Sequence, residues 1–474
     1  MATERRTAII ETRSEFEGKH IALIGMARTG LAAAPILRNL GAEVRLTDSS
    51  PAERLGDRLE AARLLGVQTL AGASPEEALE GAEIVVPSPG VPQDSEVLRL
   101  AVRRGLPILS EIEIAYRICR APILAVTGTN GKTTTTVLLG EILREAGYKT
   151  RVAGNVAADE LKQALITAAD QAEASDVISA EVSSFQLEWV EQFRPKVGIL
   201  TNITPDHLNR HRSFAEYAAC KARLFAAMRP DDVAVVNALN APARAIGEGA
   251  RSQRLWCDRG HGQGENYACI REGQMVVRWQ GREHRLGSPQ ALQIPGTHNL
   301  ENALAAAGAA IAFGVNPDAV SKALREFRGV PHRMERVAEA GGILYINNSM
   351  CTNVDAAVRS LEALGRPAVL IAGGSDKNAD YSPLGAVIAR HARHLILIGD
   401  TADLIETSAR GAGFTAISRA ESMEEAVSAA IRQAQAGDVV ILSPACASFG
   451  MFQDFEARGA AFRKVVRRYL GEPE

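Results

Sequence analysis

Cysteine is scarce. Six residues (Cys119, Cys220, Cys257, Cys269, Cys351 and Cys446) are scattered along the chain with no CxxC pair, which disfavours a zinc centre or a disulfide frame and fits a reducing compartment. An excess of one charge is missing too. Lys and Arg total 53 against 56 Asp and Glu, a net charge of −3, so no basic field points to nucleic acid, and small molecules are the expected partners. No run of eighteen uninterrupted apolar residues occurs, and the first twenty residues carry no apolar stretch long enough for a signal peptide. The expectation is a soluble, cytoplasmic chain without membrane insertion. Internal repeats and low-complexity tracts are also absent from the sequence.

What is present is a rhythm. Short apolar runs (HIALIG, AEVRLTD, EIVVPS, PILAVTG, DVISAEV, VGILTN, DVAVVN, ILYINN, AVLIAGG, HLILIGD, DVVILSP) alternate with Ala/Leu-rich helical stretches that end in glycine. That alternation predicts an α/β protein with parallel sheets. At 474 residues and roughly 150 residues per domain, three domains are expected: residues 1–110, 111–329 and 330–474. Residues 257–287 break the rhythm with Gly-rich turns and the alternating MVVRWQ, the pattern of a β-rich insertion late in the central domain.

The segment AVTGTNGKTTTT, residues 125–136, runs from an apolar strand through Gly128, Thr129, Asn130 and Gly131 into Lys132, Thr133, Thr134 and a helical stretch. With two residues between its glycines instead of four, it is two residues shorter than the common phosphate loop. It still places free backbone N–H groups and a positive helix end where phosphate oxygens can sit. Gly25-x-Ala27-x-x-Gly30, with Asp48 at the end of the next strand, is a weaker dinucleotide fingerprint because its middle glycine is alanine. It leaves three readings open: a nicotinamide cofactor, another nucleotide, or a tight turn with no ligand.

Three further residues invite chemistry. Glu181 ends the strand before EVSSFQLE, where a carboxylate either holds Mg²⁺ or is a solvated loop acid. His207 of TNITPDHLNRH lies beyond another strand, as a ligand or a capping residue. Lys221 interrupts the apolar stripe Phe214, Tyr217, Ala218, Leu224, Phe225, Met228. Burying an ammonium is costly, so either it snorkels to solvent or its amine is consumed chemically, as a carbamate formed with CO₂.

TGTNGKT, EVSSFQLE, TNITPDHLNRH with Lys221 fourteen positions after His207, GTHNLENALAA, GVPHRME, INNSMCTN and SPACASFGMFQDFEARG resemble, in order and across nearly the whole chain, the Mur ligases of peptidoglycan synthesis. Within that family SSFQL and SPACAS…F…RG are similar to the branch that adds D-glutamate to UDP-N-acetylmuramoyl-L-alanine. The resemblance implies a Rossmann-like N-terminal domain, a central P-loop-type ATPase domain and a Rossmann-like C-terminal domain, acting as a monomer on small molecules. It implies ATP and two Mg²⁺ ions as cofactors, with the UDP-sugar's carboxylate activated as an acyl phosphate. Carried over by position, Gly128, Thr129, Asn130, Gly131, Lys132, Thr133 and Thr134 would cradle the phosphates, and Asn299 and Arg333 would contact the rest of the nucleotide. Thr133, Glu181, His207 and carbamylated Lys221 would hold metal. Arg28, Thr29, Asp48, Ser49, Gly90 and Asn155 would bind the UDP-substrate, and Thr352, Lys377, Ser448, Phe449 and Phe455 the amino acid. Lys132, Glu181, His207 and Lys221 form the catalytic set. The chain departs from the family pattern at Asn348 and Met350, where Asp and Lys are usual, and at Asn209 and Ala157.

Overall fold

A computed structural model describes residues 14–156, 163–207, 210–260, 262, 264–294, 296–376, 379–448 and 450–471. The described residues form two compact units, one up to residue 327 and one from residue 328 onward. Among the described residues no helix is long and apolar enough to cross a membrane.

The first unit contains two sheets. Strands β1 (His20–Ile24), β2 (Glu43–Asp48), β3 (Gln68–Ala71) and β4 (Ile84–Pro87) pair in parallel in the order β3-β2-β1-β4. The order reverses between β1 and β4, so a crevice opens beyond their carboxyl ends. Nine strands form the second sheet: β5 (Ile123–Thr127), β6 (Thr150–Gly154), β7 (Val177–Glu181), β8 (Val197–Leu200), β9 (Val233–Asn237), β10 (Gln253–Cys257), β11 (Tyr267–Arg271), β12 (Gln274–Trp279) and β13 (Arg282–Arg285). Their order is β13-β12-β11-β10-β9-β8-β5-β7-β6. Parallel pairing runs through β11, and the antiparallel β11–β13 meander extends one edge, which is the expected β-rich insertion.

The second unit holds β14 (Glu335–Ala340), β15 (Ile343–Asn347), β16 (Ala368–Gly373), β17 (Ala392–Ile398), β18 (Ile417–Arg419) and β19 (Val439–Leu442), in the order β14-β15-β19-β16-β17-β18. Only β14 is antiparallel to its neighbour.

Central strands β5, β7 and β8 are buried along their whole length, so both faces must be apolar and each reads as a continuous run. The helix Lys132–Glu145 covers them with Val137, Leu138, Leu139, Ile142 and Leu143, all buried; each such side chain contributes roughly 1.5–3 kcal/mol over exposure. This packing fixes the helix's amino end against the strand ends, where the candidate site lies.

Candidate active site

Helices starting after Ser110, Ser213, Asn240, Asn353, Ser422 and Asp454 are capped by those side chains, as their orphan N–H groups require. Two others are not. The helix Lys132–Glu145 starts from Gly131, and the helix Arg28–Asn39 starts from Ala27; neither has a side-chain cap or an acid in its first turn. Both amino ends are therefore left electropositive, in the geometry that receives phosphate.

The loop before Lys132 is held by its neighbours. Thr129 N donates to the Asn202 carbonyl (2.8 Å) and Asn130 N to Asn202 Oδ1 (3.0 Å), while Thr201 Oγ1 donates to the Asn130 carbonyl (2.6 Å). Gly128 (φ +151°) and Gly131 (φ +82°) have no room for a side chain: a Cβ would collide with Thr201 Oγ1 at the first and with Asn302 Oδ1 at the second. Lys132 folds its amine onto the Thr129 carbonyl at 2.9 Å. Thr134 is buried. Thr133 Oγ1 donates to Glu181 Oε2 at 2.7 Å, and Asn155 Nδ2 reaches the other carboxylate oxygen at 3.4 Å. The convergence of a hydroxyl and a carboxylate oxygen beside the phosphate loop suits a hard cation such as Mg²⁺.

Lys221 does not reach solvent. It is 2% exposed, its Nζ donates to the Gly128 carbonyl at 2.7 Å and stands 4.7 Å from the Tyr217 ring centroid. Burial first, and the charge of Lys132 second, pull its pKa down to about 7, so near neutrality a large part of the amine is uncharged and nucleophilic. Tyr217 links the two elements, with its hydroxyl 3.0 Å from Thr129 Oγ1.

His207 has a left-handed backbone (φ +52°), a strained state for a non-glycine residue that marks functional loops. Its half-exposed ring lies against Phe185 and Tyr217, with Nε2 3.5 Å from Asp206. Among the described residues no three His, Cys, Asp or Glu side chains converge as a ready cation cluster. Of the expected metal set, Thr133 and Glu181 touch, while His207 and Lys221 make these other contacts. Asn209 and Ala157 lie outside the described residues.

In the crevice of the first sheet, the Asp48 carboxylate accepts from the backbone amides of Met26 and Ser50 at 2.9 Å each. A Cβ at Gly30 would collide with the Gly25 carbonyl, so this turn needs that glycine. Thr29 is half-buried, and Ser49 and Gly90 are exposed. Arg28 crosses to the second sheet and donates to the Gly154 carbonyl at 3.3 Å, next to the exposed Asn155. Between the two sheets a cleft is lined by Ser88, Glu111, Phe185, Glu188, Trp189 and Arg210. Burial raises the Glu111 carboxyl to about 7, although Ile166 N donates to it at 2.6 Å.

Asn299 accepts from Asn302 at 3.2 Å and belongs to the first unit; Arg333, half-buried, belongs to the second. In the second unit Thr352, Ser448 and Phe455 lie on the segments that follow β15 and β19. Lys377 and Phe449 lie outside the described residues. His332, Met334 and Ala445 here all have left-handed backbones. Asn348 uses its amide fully: Nδ2 donates to Ser360 Oγ (2.8 Å) and Ser443 Oγ (3.1 Å), and Oδ1 accepts from Met334 N (3.1 Å). Its neighbour Met350 donates its backbone N–H to the His332 carbonyl at 3.0 Å. An aspartate at 348 would lose both donated bonds, which accounts for asparagine in this environment.

Sequence reasoning gave no site role to Asn302, Tyr217, the Thr201–Asn202 clamp or the buried Arg458, although all lie in the stretches it singled out. Asn302 follows Asn299 by three residues on one helix, and that spacing was its signal. For Tyr217 and Arg458 apolar periodicity gave none.

Comparison with known proteins agrees with this architecture. The MurD-like N-terminal domain of Mur ligases matches residues 19–110, the Mur ligase middle domain residues 126–310, and the Mur ligase glutamate ligase domain residues 332–446. The chain belongs to the Mur ligase family. UDP-N-acetylmuramoylalanine–D-glutamate ligase of Pelotomaculum thermopropionicum is 44% identical over 452 residues, covering 95% of this chain and 98% of that one. The enzyme of the same name from Caldanaerobacter subterraneus is 43% identical over 454 residues, covering 95% and 99%. Among solved structures, MurF of Acinetobacter baumannii (18% identity, TM-score 0.57, 90% and 91% covered) and UDP-N-acetylmuramate-alanine ligase of Thermotoga maritima (20%, 0.55, 96% and 99%) share the fold.

Proposed function

We propose that the chain is an ATP-dependent ligase that joins D-glutamate to UDP-N-acetylmuramoyl-L-alanine, acting as a cytoplasmic monomer. The observation that carries this reading is near full-length likeness, at 44% identity, to a ligase of that name. The uncapped loop beside Thr133 and Glu181 supports the ATP half of the reaction. Residues 1–110 take the UDP-substrate through Arg28, Thr29, Asp48, Ser49 and Gly90, with Asn155 reaching in from the next sheet. Residues 111–329 take ATP, and residues 330–474 take the amino acid through Thr352, Lys377, Ser448, Phe449 and Phe455.

The alanyl carboxylate attacks the γ-phosphorus of ATP; an O–P bond forms as the bond to the ADP oxygen breaks. The amine of D-glutamate then attacks the acyl carbon. The C–O bond to phosphate breaks, phosphate leaves, and the amine's surplus proton passes to solvent. Phosphoryl transfer needs charge neutralisation more than covalent help. Lys132 and the N–H groups of residues 131–134 provide it from the protein. Mg²⁺ held by Thr133 and Glu181 adds to that neutralisation when bound. We assign His207 and Lys221 to a second ion, Lys221 as a carbamate: the uncharged amine adds to CO₂, forms an N–C bond and releases a proton. Asn299 and Arg333 hold the remainder of the nucleotide.

The test supplies ATP, Mg²⁺, the UDP-muramoyl-alanine acceptor and one amino acid at a time, and records phosphate. D-Glutamate is expected to trigger release. Release with L-alanine or a diamino acid, and none with D-glutamate, would overturn the assignment.

A further inference from the structure

The helix Phe455–Leu470 carries a guanidinium with no anion beside it. Arg458 is 1% exposed. Nε donates to Ser349 Oγ (3.0 Å), Nη1 to the carbonyls of Cys446 (3.2 Å) and Ala447 (3.1 Å), and Nη2 to the carbonyls of Ser349 (3.0 Å) and Cys446 (3.2 Å). Every acceptor is neutral. Among the described residues no carboxylate pairs with it, and burial lowers its pKa to about 10, still well above neutrality, so the charge is retained. A buried, unpaired cation is one of the costliest features a fold can carry.

Its surroundings are built to keep it there. A Cβ at Gly374, in the segment after β16, would collide with the Ala447 carbonyl and stand 3.1 Å from Arg458 Nη1. At Gly459 a Cβ would collide with His332 Nδ1. Arg458 thus lies beneath three segments at the carboxyl edge of one sheet, those following β15, β16 and β19, where ligands of such sheets bind. Ala445, just before the carbonyls it holds, has φ +60°.

The chain has no cis peptide among its described residues, so the C=O of each of these peptides points opposite to its N–H. With the Ala447 oxygen fixed on Arg458 and on Ser375 N (3.0 Å), the Ser448 N–H faces away from the guanidinium. A cation on the oxygen end polarises the peptide and makes that N–H a better donor to an anion.

We propose that Arg458 is a positioning and specificity-determining residue for the amino-acid substrate: its uncompensated charge, relayed through the peptides of residues 446–448, selects an amino acid with a side-chain carboxylate. This rests on the D-glutamate reading above. D-Glutamate carries a net charge of −1 and D-glutamine none, so the pair isolates the charge term at nearly constant shape.

The experiment measures kcat/KM for D-glutamate and D-glutamine in wild type, Arg458→Gln and Arg458→Lys, with KM for ATP and for the UDP-acceptor as controls. In wild type, turnover with D-glutamate establishes the reading on which the proposal stands; its absence would sink that reading, whatever the variants do. In Arg458→Gln the D-glutamate to D-glutamine ratio should fall at least tenfold, about 1.4 kcal/mol, with both control KM values within twofold. Arg458→Lys, which keeps the charge and loses the fork, should hold the ratio within threefold of wild type while kcat drops. Equal losses for both amino acids in Arg458→Gln would show a purely structural role and overturn the proposal. Should Arg458→Gln fail to fold, collapse of the ratio in Arg458→Lys would overturn it and preservation would support it.

Discussion

Replacing Lys221 probes both the energetics and the chemistry of the site. In the folded chain burial brings the Lys221 pKa from its ordinary 10.5 to about 7; at 1.36 kcal/mol per pH unit this is on the order of 5 kcal/mol. Between about pH 7 and 10.5 the unfolded chain binds one more proton than the native chain. Stability therefore rises with pH through this window, and below pH 7 the full penalty of the buried ammonium remains. In CO₂-free buffer, urea unfolding of wild type should show this rise. Lys221→Met should not, and at pH 7 or below it should be the more stable protein, less the bond to the Gly128 carbonyl, worth about 1.5–3 kcal/mol. The same variant, and Lys221→Ala, should lose most turnover. Lys221→Arg should fail as well, because a guanidinium forms no carbamate and repels a metal ion. Formate or acetate should partly restore Lys221→Ala by supplying a carboxylate where the carbamate stood, and labelled bicarbonate should give a carbamate carbon signal in wild type alone. Full activity of Lys221→Arg, or identical pH–stability profiles for wild type and Lys221→Met, would refute the reasoning.

Lys132→Ala should abolish phosphate transfer while leaving UDP-acceptor affinity within about twofold, since the Lys132 amine sits on the phosphate loop; calorimetric loss of acceptor binding would contradict that division. Gly131→Ala forces a left-handed alanine, roughly 1–2 kcal/mol, into Asn302, and should raise KM for ATP far more than KM for the acceptor. Asn348→Asp removes two buried donors and should cost about 1–3 kcal/mol in urea unfolding; an unchanged midpoint would mean Ser360 and Ser443 reorient without cost.

The strands that sequence reading found are mostly those with long buried apolar runs, as in β5, β7, β8, β9, β16 and β19. All eleven apolar runs form strands, from β1 to β19. Those passed over are mostly edges: β3, β6, β14 and β18 each end a sheet, where one side meets solvent and the sequence turns polar, as in QTLA and ERVAEA. Within the site, the short phosphate loop stood out because glycines between an apolar strand and a helix have few other reasons to stand there; Glu181 by itself read equally as a solvated loop acid, which its burial against Thr133 excludes. The break in an apolar stripe marked Lys221 but left snorkelling to solvent and chemical use both open, and its burial decides against snorkelling. The burial of Arg458 was not legible, since an arginine on a polar-looking helix turn gives no sign that its end is sealed beneath three loops. Nor was the use of Asn348 as a donor, which depends on Ser360 and Ser443 arriving from distant segments.

In the proposed reaction ATP activates the acceptor's carboxylate and D-glutamate then takes the acyl group. The most direct measurement uses UDP-N-acetylmuramoyl-L-alanine labelled with ¹⁸O in the alanyl carboxylate, and reads the label in the released phosphate by mass spectrometry. One ¹⁸O per phosphate is expected, with release dependent on D-glutamate and matched by the amide product. Unlabelled phosphate, or steady release without D-glutamate, would contradict it.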